Sequence, residues 1–216
     1  PKNFESSETI NKFKELNSDL TVVMGYGKLL PKNILNTPVH GSINIHVSLL
    51  PRWRGAAPIE HAILNGDGST GVTIFKLDEK LDSGPIIAAK EIDINKNISK
   101  EDLTIQLNAL GTALLNKILP DFLDKKIILQ KQDEEKVTYA KKITPIHRKI
   151  NFNNDVDTIY NQIRAFAPKP SAWFLFNNER IKIIKCSMQI CSTEVSTIIN
   201  DKFHIGCRKG KIIPEI

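Results

Sequence analysis

Four apolar runs rich in β-branched residues, 20–24, 42–47, 70–77 and 84–94, have the length and composition of strands, and stretches of different period lie among them. Ile10, Phe13 and Leu16 fall at helical spacing within residues 8–18. Residues 58–66 begin on Pro58 and stop at Gly66, the expected order of a helix that opens on proline and closes on glycine. Residues 99–126 read as a long amphipathic helix, with Ser99 as N-cap and Asp102 three residues on. Strands alternating with helices predict an α/β sheet, at least partly parallel.

The pattern changes at residue 130. Residues 130–149 are charged and lack a sustained apolar period, so they read as a linker. A helix at 153–166 follows, then a hairpin turned at Asn177-Asn178 and strands around 198–206. The expected organisation is therefore an α/β domain over 1–129, a linker over 130–149 and a small β-rich domain over 150–216. An open α/β sheet commonly has five or more strands. The few here leave an apolar edge to be paired, so a further N-terminal part is expected in the complete protein, and the 216 residues alone are expected to be poorly stable and inactive.

Composition narrows the classes. An apolar share of 41% and a charged share of 25% are ordinary for a globular chain and argue against global disorder. A net charge of +6 suits a polyanionic partner such as nucleic acid without requiring one. Cys186, Cys191 and Cys207 form no CxxC pair and have no histidine at zinc spacing. They read as reduced, mostly buried thiols of a cytoplasmic protein. No apolar run approaches the roughly 20 residues of a membrane span.

Chemistry concentrates at the second strand. Side chains two apart on a strand share a face, so Asn44 and His46 point one way and Ile43, Ile45 and Val47 the other. An amide and an imidazole on a buried face need either satisfied partners or a role. The loop that follows is stiffened by Pro51 and Pro58, given freedom at Gly55, and expected to expose Arg52, Trp53 and Arg54. Such loops at the carboxyl ends of strands are where open α/β sheets bind ligands. Asp82, in a turn between two strands, is positioned to fold back toward His46, where its charge would favour the imidazolium. His40, His61, His147 and His204 read as packing or surface residues, and Trp173 and Phe174 as core of the second domain.

The run NIHVSLLPRWRGAAPI, followed by GVTIFKLDEKLDSGPII, resembles the 10-formyltetrahydrofolate-dependent formyltransferases. The likeness extends through VVMGYGKLLP and through RAFAPKPSAW in the second domain. It implies a partial Rossmann-like sheet, lacking its N-terminal part, followed by an OB-like, β-rich tRNA-binding domain over 150–216 that is expected to be cut short at its C-terminal end. It makes Asn44, His46 and Asp82 the catalytic set, and Ser48, Leu49, Leu50 and Pro51, with Met24, Gly25 and Tyr26, the folate-contacting residues. The implied donor is 10-formyltetrahydrofolate, with no metal, and the implied acceptor is the α-amine of initiator methionyl-tRNA in bacterial translation initiation. Arg52, Arg54, Lys141, Lys142, Arg148 and Lys149 are candidate contacts to that tRNA. An amino-sugar nucleotide is the alternative acceptor, and an inactive folate- or RNA-binding module the alternative of another class. A monomer is expected. Departures from the family pattern, at Val47, Ser48 and Lys169, are mild.

Overall fold

The computed structural model describes residues 4, 6–198 and 203–215. The chain divides into two compact units: residues 1–58, 69–92 and 106–141 form the first, and residues 59–68, 93–105 and 142–216 the second. Neither unit is continuous in sequence, so the unit boundaries fall inside elements and not only at residues 130–149.

The first unit opens with helix α1 (Ser7–Glu15), whose Ser6 hydroxyl accepts the Thr9 N–H as an N-cap. Among the described residues its main sheet has four strands in the order β1 (Thr21–Val23), β2 (Ser42–His46), β4 (Ser69–Lys76) and β5 (Ile86–Asp93). β1 and β2 run parallel, with Val23 opposite Asn44. β2 and β4 are antiparallel, with Asn44 opposite Phe75 and His46 opposite Thr73. Every residue of β2 is buried, so both of its faces are covered. Ile43, Val72, Ile74 and Phe75 are completely buried, and they anchor the strand that carries Asn44 and His46. A second cluster packs Leu30, Ile34 and Leu35, from the region of the short helix α2 (Lys32–Leu35), against Phe13, Val23 and Tyr26.

Two close approaches hold this sheet. A Cβ on Gly71 would lie 2.2 Å from the Lys90 carbonyl oxygen, and one on Gly111, in helix α4 (Lys100–Leu123), 2.9 Å from Ile45 Cγ2. Ser99 caps α4 by accepting the Asp102 N–H, as the sequence predicts.

In the second unit, helix α5 (Val156–Phe166) buries Ile159, Ile163 and Phe166 among Phe174, Cys186, Cys207 and Ile212. Strands β7 (Ala172–Phe176) and β8 (Glu179–Ile183) form the predicted hairpin, with Asn177 and Asn178 both at positive φ, 48° and 65°, as a two-residue turn of that hand requires. β9 (Cys186–Ile190), β10 (Ile205–Cys207) and β11 (Gly210–Pro214) make a three-stranded sheet in the order β10-β11-β9. Part of the strand expected near 198–206 lies outside the described residues; Ile198 bridges to Ile205. Trp173 and Phe174 are buried. Burial pushes the Cys186 thiol up to about 12 and the Cys207 thiol up to about 11, so neither is a thiolate near neutral pH. Among the described residues no helix is long and apolar enough to cross a membrane.

Gly71→Val sets a side chain against a backbone carbonyl that cannot yield, and is expected to lower unfolding free energy by about 2 kcal/mol or more in chemical denaturation.

Candidate active site

Parallel pairing of β1 and β2 sets two loops side by side at the carboxyl ends of adjacent strands: residues 24–26 after β1 and residues 47–58 after β2. Asn44 is 8% exposed, and among the described residues its carboxamide has no hydrogen-bond partner. His46 is 6% exposed, with its ring nearly perpendicular to that of Phe75. Its Nε2 lies 2.9 Å from the Trp53 carbonyl oxygen. A carbonyl only accepts, so Nε2 carries the proton and Nδ1 presents a lone pair when the ring is neutral. That Nδ1 faces Asp82 Oδ2 at 3.8 Å, too far for a direct hydrogen bond.

Asp82 favours the imidazolium, as expected, but burial outweighs it. Burial holds the His46 pKa below its ordinary value, and the opposing effects of Asp82 and of the bond to Trp53 O do not overcome it. The ring is therefore neutral at pH 7.

The loop after β2 is held through its backbone. The Thr73 hydroxyl donates to Ser48 O at 2.7 Å and accepts the Leu50 N–H at 3.0 Å, while the Ser48 hydroxyl donates to Arg52 O. Farther on, the loop forms a two-residue strand, β3 (Arg54–Gly55), parallel to β6 (Tyr139–Ala140). The Trp53 N–H donates to the Thr138 hydroxyl and the Arg54 N–H to the Thr138 carbonyl. Gly55 has φ 120°, and a Cβ there would meet the Ala140 carbonyl oxygen at 2.7 Å, so only glycine fits. The Gly55 N–H donates to Asp82 Oδ2 at 2.8 Å.

Arg54 is not exposed as expected: its relative exposure is 2%. Its Nε and Nη2 donate to Gln132 Oε1 at 3.0 and 2.8 Å, and its Nη2 reaches Glu134 Oε1 at 2.9 Å. A guanidinium beside a chain of polar acceptors can be buried where the sequence suggested a solvated charge. Arg52 and Trp53 are half-buried, with the Arg52 guanidinium 4.4 Å from the indole centroid. Residues 130–140, expected to be linker, supply Gln132, Glu134, Thr138 and Ala140 to this clamp. Sequence reasoning missed them because their contacts are polar and to backbone, which leaves no apolar period to read.

Met24 and Gly25 are exposed, and Tyr26 is half-buried. Tyr26 lines a cavity of about 580 Å³ with Phe4, Lys28, Leu29, Leu30, Pro31, Lys32 and Glu79. Asn44, His46 and Asp82 do not line it. Lys141, Lys142 and Lys149 are exposed, whereas Arg148 is half-buried and its Nη1 donates to Pro170 O at 3.0 Å. Among the described residues no group of three His, Cys, Asp or Glu side chains is arranged to hold a metal ion.

Residues 1–119 match the formyl transferase family model, and residues 142–215 match the model of the formyl transferase C-terminal domain. A methionyl-tRNA formyltransferase of Wolbachia sp. subsp. Drosophila simulans is 41% identical over all 216 residues, which span 70% of that protein. One of Thermodesulfovibrio yellowstonii is 43% identical over 97% of this chain and 68% of its own. Among solved structures, an N-formyltransferase from Helicobacter canadensis, in complex with folinic acid and dTDP-3-aminofucose, superposes with a TM-score of 0.70. It is 27% identical, over 84% of this chain and 68% of that one. A sugar 3N-formyl transferase superposes with a TM-score of 0.76 at 25% identity, over 94% of this chain and 75% of that one. With two family models spanning most of its length and relatives above 40% identity across it, the chain belongs to the formyl transferase family.

Proposed function

We propose that the chain transfers a formyl group from 10-formyltetrahydrofolate to the α-amino group of initiator methionyl-tRNA, with Asn44, His46 and Asp82 as its catalytic residues. The observation that carries this reading is the Asn44 carboxamide, on a residue only 8% exposed and without a hydrogen-bond partner among the described residues, two residues from a neutral His46 that faces Asp82. An acyl transfer needs a donor for the oxygen that becomes negative and a base for the attacking amine. Asn44 Nδ2 is the donor to the formyl oxygen. The Nδ1 lone pair of His46 takes the amine proton, and the 3.8 Å gap to Asp82 accommodates that proton beside a carboxylate that stabilises the imidazolium. As the new bond from amine nitrogen to formyl carbon forms, the bond from that carbon to N10 of the folate breaks. His46 then returns the proton to N10, so the step needs no oxidant or further reactant.

Ser48 to Pro51 and Met24 to Tyr26 lie on the neighbouring loops and are assigned to the folate. The cavity beside Tyr26, lined by aromatic and apolar side chains with Lys28, Lys32 and Glu79 among them, supports a flat ring system there. We assign residues 1–129 to the chemistry and residues 150–216 to the acceptor, with 130–149 joining them. Lys141, Lys142 and Lys149 are assigned to tRNA phosphates. Arg52 remains a candidate acceptor contact, whereas Arg54, with its guanidinium committed to Gln132 and Glu134, is assigned to holding the loop. The sugar formyltransferases among the solved relatives supply the second reading, an amino-sugar acceptor. The higher identity to the methionyl-tRNA enzymes favours tRNA.

Single-turnover transfer to methionyl-tRNA by the full-length protein tests this. Asn44→Ala is expected to slow the step by about 10²–10³-fold, and His46→Ala by about 10²–10⁴-fold. Wild-type rates in both variants would contradict the assignment, and transfer to an amino sugar in place of methionyl-tRNA would move it to the second reading.

The lowered His46 pKa also predicts a pH dependence of stability. The unfolded imidazole binds a proton near its ordinary pKa of 6.5, and the folded one only at lower pH. Stability from this group is full above the unfolded value and is lost as pH falls through it toward the folded one. Between about pH 7 and about pH 5, the denaturation midpoint of His46→Asn is expected to fall less than that of the parent. Equal falls would show that His46 takes up its proton as readily folded as unfolded.

A further inference from the structure

We propose that Gln132 is a positioning residue for formyl transfer, holding the Asp82 turn at the distance from His46 at which the carboxylate stabilises a proton on Nδ1. The proposal rests on the roles assigned above to His46 and Asp82. Gln132 lies 50 residues from Asp82 in sequence, outside the motif that carries the chemistry, and is 3% exposed.

A primary amide has an accepting end and a donating end, and here both are fully committed. Oε1 receives Nε and Nη2 of Arg54, at 3.0 and 2.8 Å. Nε2 donates to Asp82 O at 2.9 Å and to Gly84 O at 2.8 Å. Two guanidinium donors on one side and two carbonyls on the other permit a single orientation of the amide. Asp82 stands at φ 49°, a conformation that a non-glycine residue keeps only where its surroundings hold it. The far side of the turn has no slack either, since a Cβ on Gly84 would lie 1.8 Å from Lys76 O. The carboxylate itself is fixed by the Gly55 N–H at 2.8 Å. Gln132 therefore joins the two segments that must agree in position: the Arg54–Gly55 strand, whose glycine holds the carboxylate, and the turn that bears it. Removing its donor end takes this donor from one buried and one partly buried carbonyl and lets the turn drift, and an error of the order of 1 Å at a reacting group lowers a rate by about 10²-fold.

The test uses the full-length protein carrying Gln132→Met, which keeps the volume without the bonds. A second variant, Gln132→Glu, keeps the acceptor for Arg54 but turns an oxygen toward the two carbonyls. Single-turnover formyl transfer is measured across pH at limiting and saturating donor, beside Asp82→Asn and the Asp82→Asn/Gln132→Met pair. The expected result is a fall of about 10- to 10²-fold in the transfer rate, with donor KM nearly unchanged. The acid limb of the pH profile should move in the same direction as in Asp82→Asn. Gln132→Met should add less than about twofold once Asp82 is Asn, because the two act through one group. If Gln132→Met fails to fold, Gln132→Glu decides on the same readouts. A folded Gln132 variant with the parent's rate and pH profile, or one whose loss multiplies fully with Asp82→Asn, overturns the proposal while leaving the site assignment intact. Asp82→Asn at the parent's rate overturns both.

Discussion

The bond from the Gly55 N–H to Asp82 Oδ2 connects the parts of this site that come from distant stretches of sequence. Gly55 reaches the carboxylate because β3 lies against β6, and that approach is close enough to exclude any side chain at position 55. The loop that leaves His46 is thus tied to residues 138–140 on one side and to the Asp82 turn on the other. The Trp53 carbonyl, carried on the same loop, receives the His46 Nε2 proton and so sets the tautomer. A loop with strong local restraint, from Thr73 as well as Thr138, keeps both the acid–base pair and the tautomer in place.

Charge follows the same logic. A buried guanidinium left alone costs several kcal/mol, about 3–5 when a buried pair is broken. Arg54 avoids this by sharing Gln132 and Glu134, and its hydrogen bond, with its charge, holds the Glu134 carboxylate below the ordinary range. His46 has no comparable rescue. Its carboxylate stands 3.8 Å away and is already engaged by Gly55, so desolvation wins and the ring rests neutral. A neutral imidazole with a free Nδ1 beside a carboxylate is a base that becomes easier to protonate only as a proton arrives between the two. That suits the deprotonation of an attacking amine near neutral pH.

Much of this was legible in the sequence, for identifiable reasons. Period two in residues 42–47 paired Asn44 with His46, and the break after Asp82 at Ser83-Gly84 marked the turn that returns toward them. The Asn177-Asn178 turn and the Ser99 cap were readable because each is a local backbone requirement. Arg54 was misread because a charged residue in a Pro- and Gly-rich loop looks solvated, and the acceptors that bury it lie 78 and 80 residues away. Gln132 and Thr138 were invisible for the complementary reason: a polar side chain that bonds to backbone leaves no hydrophobic period. The neutral state of His46 depends on a balance between burial and one nearby charge, and a sequence specifies neither term.

Nitrogen NMR of the full-length protein with labelled histidine reads the protonation state of His46 directly. At pH 7 the His46 ring should give one protonated nitrogen, Nε2, and one unprotonated nitrogen, Nδ1, and Asp82→Asn should leave that tautomer in place because Trp53 O fixes it. A doubly protonated ring at pH 7, or a proton on Nδ1 with Nε2 bare, would contradict it.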